Sequence, residues 1–232
     1  MHRSLGPRLS VVPAVLWLLA GIGWLIGEAV TASAFPAYSY ATNYISDLGV
    51  PDVGIFQGRT IDSPLSAVMN TVFIGHGVLF ALAGLLVARA VASTSRSASR
   101  AVAVLVVAHF VGITLVGLFH GSQASVDDGA IVLHVLGAAV AITSGNVVAI
   151  VAGASSRAVD APRGYRVASI VLGVVGLVSL VMLLVDSGST AITLLPDGVW
   201  ERASVYTIIA WELLSGGLLL TGVLRRRAAA RA

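Results

Sequence analysis

Four ionisable side chains fall inside long apolar runs: His76, His109, His134 and Glu212. A charge at such a depth in a bilayer costs a few kcal/mol even on lenient scales, so each needs a physical reason to be there. Glu212 lies about twelve residues into the last run, roughly 18 Å along a helix axis, which is near a bilayer midplane. Glu201, Val205, Ile208, Glu212 and Ser215 share one helical face. That face must look into a bundle or a wet cavity. The plain alternative is a carboxyl neutralised by protonation or bonded to a neighbouring helix. His134 lies about six residues into its run, roughly 9 Å below Asp128. As a base or ligand, with Glu212 or Asp128 as its carboxylate partner, it would suit an intramembrane hydrolase or acyl-transfer enzyme. His120, Asp128 and His134, joined by Asp186 or Glu201, would suit zinc with one position open to water. Their spacing matches no ligand motif such as H-E-x-x-H, and a helix–helix hydrogen bond is the plain role for each histidine. No other cofactor is expected. His76, between Gly75 and Gly77, reads as close packing with an imidazole hydrogen bond, and Asn70 and Asn146 as interhelical bonds. No Ser–His–Asp order, phosphate-binding glycine loop or G-x-S-x-G turn is present.

A second group with chemical potential lies between the first two runs, in Asn43-Tyr44-Ile45-Ser46-Asp47-Leu48-Gly49-Val50-Pro51. Ser46 or Asp47 can bond the local backbone, Gly49 allows a positive φ, and Pro51 stiffens the exit. The segment reads as a rigid turn docked on the mouth of a bundle, with Asp47 able to reach inward. Ser46, Asp47, His134, Glu201, Arg202 and Glu212 are therefore the expected ligand-binding residues.

The elements that must position these groups follow from composition and charge. Of 232 residues, 57% are hydrophobic and 11% charged, against about 25% charged in ordinary soluble domains. Twelve of fourteen arginines sit in short stretches that alternate with the apolar runs: Arg3 and Arg8, then Arg89 to Arg100, Arg157 to Arg166, and Arg225 to Arg231. Cationic loops stay on the cytoplasmic side. The expected fold is an all-α, polytopic bundle of six transmembrane helices with both termini cytoplasmic. The spans are expected near 11–31, 65–91, 101–119, 128–153, 166–185 and 200–224, with an external loop over 32–64 and no separate soluble domain. The first run, with Ala32-Ser33-Ala34 behind it, imitates a secretory signal. It exceeds the usual apolar length of about 7–15 residues, however, and carries Trp17, Trp24 and Glu28 on a stripe with Gly21, so it reads as a retained span.

Other classes drop out. There is no cysteine, which excludes disulfides and thiolate chemistry. A net charge of +3 without a concentrated basic face gives no reason to expect nucleic acid. Gly137, Ala138, Ala141 and Gly145 form one small-residue stripe, and Gly173 and Gly176 with Ser169 and Ser179 form another. Such stripes let helices approach closely in lipid. No inverted repeat or broken-helix pair points to a secondary transporter.

Ile45-Ser46-Asp47-Leu48-Gly49 resembles the pattern of a bacterial membrane family described as domain of unknown function 998 (DUF998). Gly117-Leu118-Phe119, His134-Val135-Leu136-Gly137-Ala138, Glu201-Arg202 and Trp211-Glu212 extend that resemblance in order along nearly the whole chain. The family often has Pro after the phenylalanine, where this chain has His120. More distantly, Ile45, Ser46, Asp47, Gly49, His134 and Glu212 resemble positions of the eukaryotic Frag1/DRAM/Sfk1 family of six-span proteins. That resemblance implies lipid handling as a theme. The expectation is a multi-pass protein of a bacterial inner membrane that associates with membrane lipids through an outward-facing polar pocket. An intramembrane hydrolase or acyl-transfer enzyme, and a structural subunit with a protein partner or a second copy, are the alternatives.

Overall fold

A computed structural model of the chain describes residues 10–159, 161–188 and 194–230. Among the described residues there are seven α-helices: α1 (Val12–Ala34), α2 (Ser66–Val91), α3 (Arg96–Leu118), α4 (Gln123–Asp127), α5 (Ile131–Ser155), α6 (Arg163–Ser187) and α7 (Asp197–Ala229). All but the short α4 are long and apolar enough to cross a membrane, six spans in all. The chain is a multi-pass membrane protein.

Local chemistry sets the ends of these helices. Ser95 caps α3 by accepting from the Ala98 N–H, so this helix begins at Arg96, five residues earlier than expected. Pro162 and Pro196 precede α6 and α7, where a missing N–H costs nothing. Asp197 in the first turn of α7 and Arg226 and Arg227 in its last complement the helix dipole. At 33 residues, α7 is roughly 50 Å long and outreaches a hydrocarbon core of about 30 Å. α5 begins at Ile131 rather than 128, because Gly129 at φ +80° breaks the helical path.

The spans pack in a ring that follows chain order. α1 packs on α2, α2 on α3, α3 on α5, α5 on α6, α6 on α7, and α7 closes the ring on α1. Small residues permit the tightest of these contacts. A methyl group on Gly112 of α3 would stand 2.6 Å from both the Ala141 nitrogen and the Gly137 carbonyl oxygen of α5. Only glycine allows two backbones that close. The expected α5 stripe is therefore an interface. Valines 171, 174, 175, 178 and 181 of α6 point outward, as a lipid-facing surface requires.

At one end of the ring lies the 35–65 segment, here the loop end; the opposite end carries the interhelical arginines and is the arginine end. The loop end contains a feature that the sequence reading lacked, a hairpin of β1 (Gly54–Phe56) and β2 (Arg59–Ile61). Gln57 and Gly58 both have positive φ, 49° and 76°, as a two-residue hairpin turn needs. Phe56, Ile61 and Val50 bury together beneath it.

Candidate functional site

The loop motif folds as a 3-10 turn over Ser46–Gly49, with Asp47, Leu48 and Gly49 buried and Ser46 half-buried. Gly49 is not in the positive-φ region, contrary to expectation. Its lack of a side chain makes room for Asn70, whose Oδ1 would lie 2.4 Å from an added Cβ. Asn70 Nδ2 donates to the Gly49 carbonyl at 2.8 Å, and Ser63 Oγ donates to the Leu48 carbonyl at 2.6 Å. Asp47 accepts from Asn43 Nδ2, from the Tyr44 N–H, and from Arg59 Nε at 2.8 Å and its second terminal nitrogen at 3.2 Å. This paired geometry is the strong form of a carboxylate–guanidinium contact. Burial draws the Arg59 pKa down, but its bonds and charge contact with Asp47 outweigh that and leave it above the ordinary value. Arg59 also lies over the Tyr44 ring at 4.1 Å.

Beneath this cap, α7 supplies Glu201 and Arg202. Glu201 accepts the Ile45 N–H. Arg202 donates to the carbonyls of Tyr40 and Asn43, each at 2.7 Å, and of Gly198 at 3.2 Å, and also to the Tyr38 hydroxyl. Tyr38 in turn donates to the Tyr44 carbonyl at 2.9 Å. Burial raises the pKa values of the Tyr38 and Tyr44 phenols, which keeps both as hydroxyl donors. Arg202 Nε stands 3.2 Å from Glu28 of α1, which also accepts from Trp24 Nε1 and the Tyr206 hydroxyl. One guanidinium thus fastens the loop to α7 and α7 to α1. A planar fork can do this; a lysine point charge cannot reach so many acceptors in fixed directions.

One layer deeper, His76 Nε2 and Glu212 Oε1 share a hydrogen bond of 3.1 Å with both side chains fully enclosed. Trp24 meets the His76 ring edge-on at 4.9 Å, His109 lies 5.4 Å from it, and Phe80 packs on His109 at 4.4 Å. His109 Nδ1 donates to the Ala141 carbonyl at 2.8 Å. Glu212 Oε2, His76 Nδ1 and His109 Nε2 have no hydrogen-bond partner. Among the described residues no serine or threonine hydroxyl bonds to a histidine ring. The pair can hold a proton between nitrogen and oxygen.

The remaining candidates separate. His134 donates from Nδ1 to the Phe119 carbonyl at 2.7 Å, fixing the end of α3 to α5, while the partner of Glu212 is His76. Asp128 is exposed in the turn before α5 and accepts the Ala130 N–H at 2.8 Å. His120 is half-buried and accepts from Asn70 Nδ2 at 3.1 Å. Asp186 accepts from Trp200 Nε1 at 2.7 Å and from the Leu194 and Leu195 N–H groups. His120, Asp128 and His134 are therefore not assembled as zinc ligands, and no group of three such side chains suited to a metal occurs among the described residues. The helix break at Gly129 is the cause: it takes Asp128 off the α5 face that carries His134. From the sequence, Tyr38, Arg59 and Tyr206 had no site role, Glu28 stood on a stripe without a partner, and His76 and His109 had no shared role.

A match to a known family covers residues 8–217. The chain belongs to the family described as Protein of unknown function (DUF998). The cap, the Glu28–Arg202 layer and the His76–Glu212 pair all fall within the matched DUF998 region. No curated protein and no solved structure matches the chain.

The arginine end is built differently. A partly open cavity of about 310 Å³ lies inside the ring, bounded by every span: Trp17, Val87, Val102, Ala152, Tyr165 and Leu219 each contribute from a different helix. Trp17 and Trp211, in edge contact at 5.2 Å, are its deepest lining residues. The Tyr165 hydroxyl and Ser215 Oγ bond at 3.1 Å along its wall. Most of the wall is apolar.

Proposed function

We propose that this DUF998 protein is a non-enzymatic membrane protein that binds a membrane lipid or similar amphiphile inside its helix ring, from the arginine end. The cavity at that end carries the reading. Its volume of about 310 Å³ sits at the lower end of the range for small-molecule sites, roughly 300–1,000 Å³, and apolar walls with a few polar groups are what such sites share. Asp47, Glu201, Arg202 and Glu212, first expected to bind a ligand, are instead bonded to other groups of the chain. Asp47 is held by Arg59, Glu201 by the Ile45 N–H, Arg202 by three carbonyls, and Glu212 by His76. These groups act as scaffold. The arginine-rich end faces the cytoplasm by the charge asymmetry of its loops, so the lipid enters from the inner leaflet. Native mass spectrometry of the protein released from lipid nanodiscs tests the reading. A stoichiometric retained lipid is expected; a bare protein mass under conditions that preserve the fold would sink it. The enzymatic alternative predicts hydrolysis or acyl exchange of added lipid that is lost in Glu212→Gln, and no such turnover is expected here.

A further inference from the structure

We infer that the arginine-end cavity takes one acyl chain of an anionic phospholipid, with the head-group phosphate at the arginine rim and the chain end against Trp17 and Trp211. The inference rests on the lipid-binding reading above and adds the class of lipid, the number of chains and the orientation. Charge selects the head group. By sequence the connections at this end carry arginines against a single acidic residue, Asp160, and Arg226 lines the cavity, whereas the described carboxylates lie at the loop end or at mid-span. An anionic phosphate is attracted to such a rim and a guanidinium can hold two of its oxygens. Around the same rim Thr94, Ser95, Ser155 and Ser156 line the opening; deeper in, the polar groups are the Tyr165–Ser215 pair, bonded to each other, and the indole N–H groups of Trp17 and Trp211. Below the rim Val87, Val102, Leu218 and Leu219 give an apolar shaft. Volume selects one chain: about 310 Å³ is near the minimum for a ligand site and leaves no space for a second. The Trp17–Trp211 contact closes the shaft, and beyond it Phe80 packs on both Trp211 and His109.

Gly222 gives a clean test. It lines the cavity, and an added Cβ there would meet nothing within 4 Å. Gly222→Phe therefore fills the shaft without striking a neighbour at its Cβ. Gly217 has equally open space around its Cβ but does not line the cavity, and Gly217→Phe is the control. The protein would be released from nanodiscs of equal parts phosphatidylglycerol and phosphatidylcholine, and retained lipid read by native mass spectrometry. One retained phosphatidylglycerol is expected for the wild type and for Gly217→Phe. Displacing even two buried methylenes lowers retention about tenfold, so Gly222→Phe is expected to lose at least that much. Phosphatidylglycerol carrying a diazirine near its acyl terminus is expected to label Trp17 or Trp211 in the wild type. This second readout holds whether or not the Gly222 variant folds. Retention unaffected by Gly222→Phe, equal retention of phosphatidylcholine, or labels confined to outward residues such as Val178 would overturn the inference while leaving lipid binding standing. A wild-type protein that retains no lipid would overturn both.

Discussion

The two ends of the helix ring solve opposite problems. At the loop end, charged and polar side chains are buried and spent on each other: Asp47 on Arg59, Arg202 on Glu28 and three carbonyls, Glu201 on a backbone N–H. At the arginine end, the charges stay at the rim and the interior is an apolar cavity. A buried ionisable group in a membrane protein invites a functional reading; at the loop end most such bonds are made within the chain, while deeper in the ring Glu212 Oε2, His76 Nδ1 and His109 Nε2 stay open. The unfilled space lies where packing was left incomplete and where polarity is low. Satisfied polarity at one end supplies rigidity; unfilled apolar volume at the other supplies capacity.

Substitutions can break this contrast or sharpen it. The largest effect is expected from Arg202→Ala, which leaves Glu28 buried beside an empty site and frees the Tyr40, Asn43 and Gly198 carbonyls. Removing one partner of a buried pair costs about 3–5 kcal/mol, so thermal unfolding in detergent should shift sharply downward. Arg202→Lys is expected to recover only part of this, because the fork is lost. If Arg202→Ala unfolds like the wild type, the loop end is no scaffold. Asp47→Asn should come next. It removes the charge-assisted contact with Arg59 and costs about 1.5–3 kcal/mol in the same assay, with lipid retention unchanged once the protein is folded. Gly222→Phe is expected to invert that pattern, with stability within about 0.5 kcal/mol of wild type and lipid lost.

The smallest effect concerns acid. Burial lowers the His120 pKa below 6.5, against the raising influence of Asp52 and of its bond to the Gly117 carbonyl. The folded state therefore favours neutral His120 while the unfolded chain binds the proton more readily. The stabilisation is complete above pH 6.5 and is lost as pH falls from there through the lower folded value. His120→Gln should flatten that limb of a stability–pH curve. An identical acid limb in wild type and variant would assign the effect to other groups.

Much of the fold was legible because its signals are local. Apolar run length and arginine placement mark the spans, and the observed helices fall on the expected segments with ends displaced by caps and breakers at Ser95 and Gly129. The hairpin was not legible: Gln57-Gly58 is not the Asn-Gly pair that announces such a turn, and strands of three residues carry little alternation. The site was legible only in part. The α7 face of Glu201, Val205, Ile208, Glu212 and Ser215 was expected to look inward, and Ile208, Glu212 and Ser215 are buried, yet the partner of Glu212 was misassigned. A depth comparison would have helped. Counted from the loop end of the expected spans, His76, His109 and Glu212 all fall within roughly 3 Å of one level at 1.5 Å per residue, while His134 lies higher. Tyr38 and Arg59 were beyond reach, because their positions depend on how the loop folds over the ring. The cavity was beyond reach for another reason: a void is what many side chains leave unfilled, and no single residue announces it.

The order of the ring also bears on how the protein is made. Glu28 and His76 enter the membrane early in synthesis, on α1 and α2, but their partners on other helices come late: Arg202, Tyr206 and Glu212 all belong to α7. Until that last helix is inserted, two costly side chains wait in the bilayer without their mates. A nascent chain stopped before Asp197 would carry every other span and still expose an acidic and an imidazole group to hydrocarbon. Insertion of α7 is thus the step that gives both side chains their interhelical partners and closes the ring.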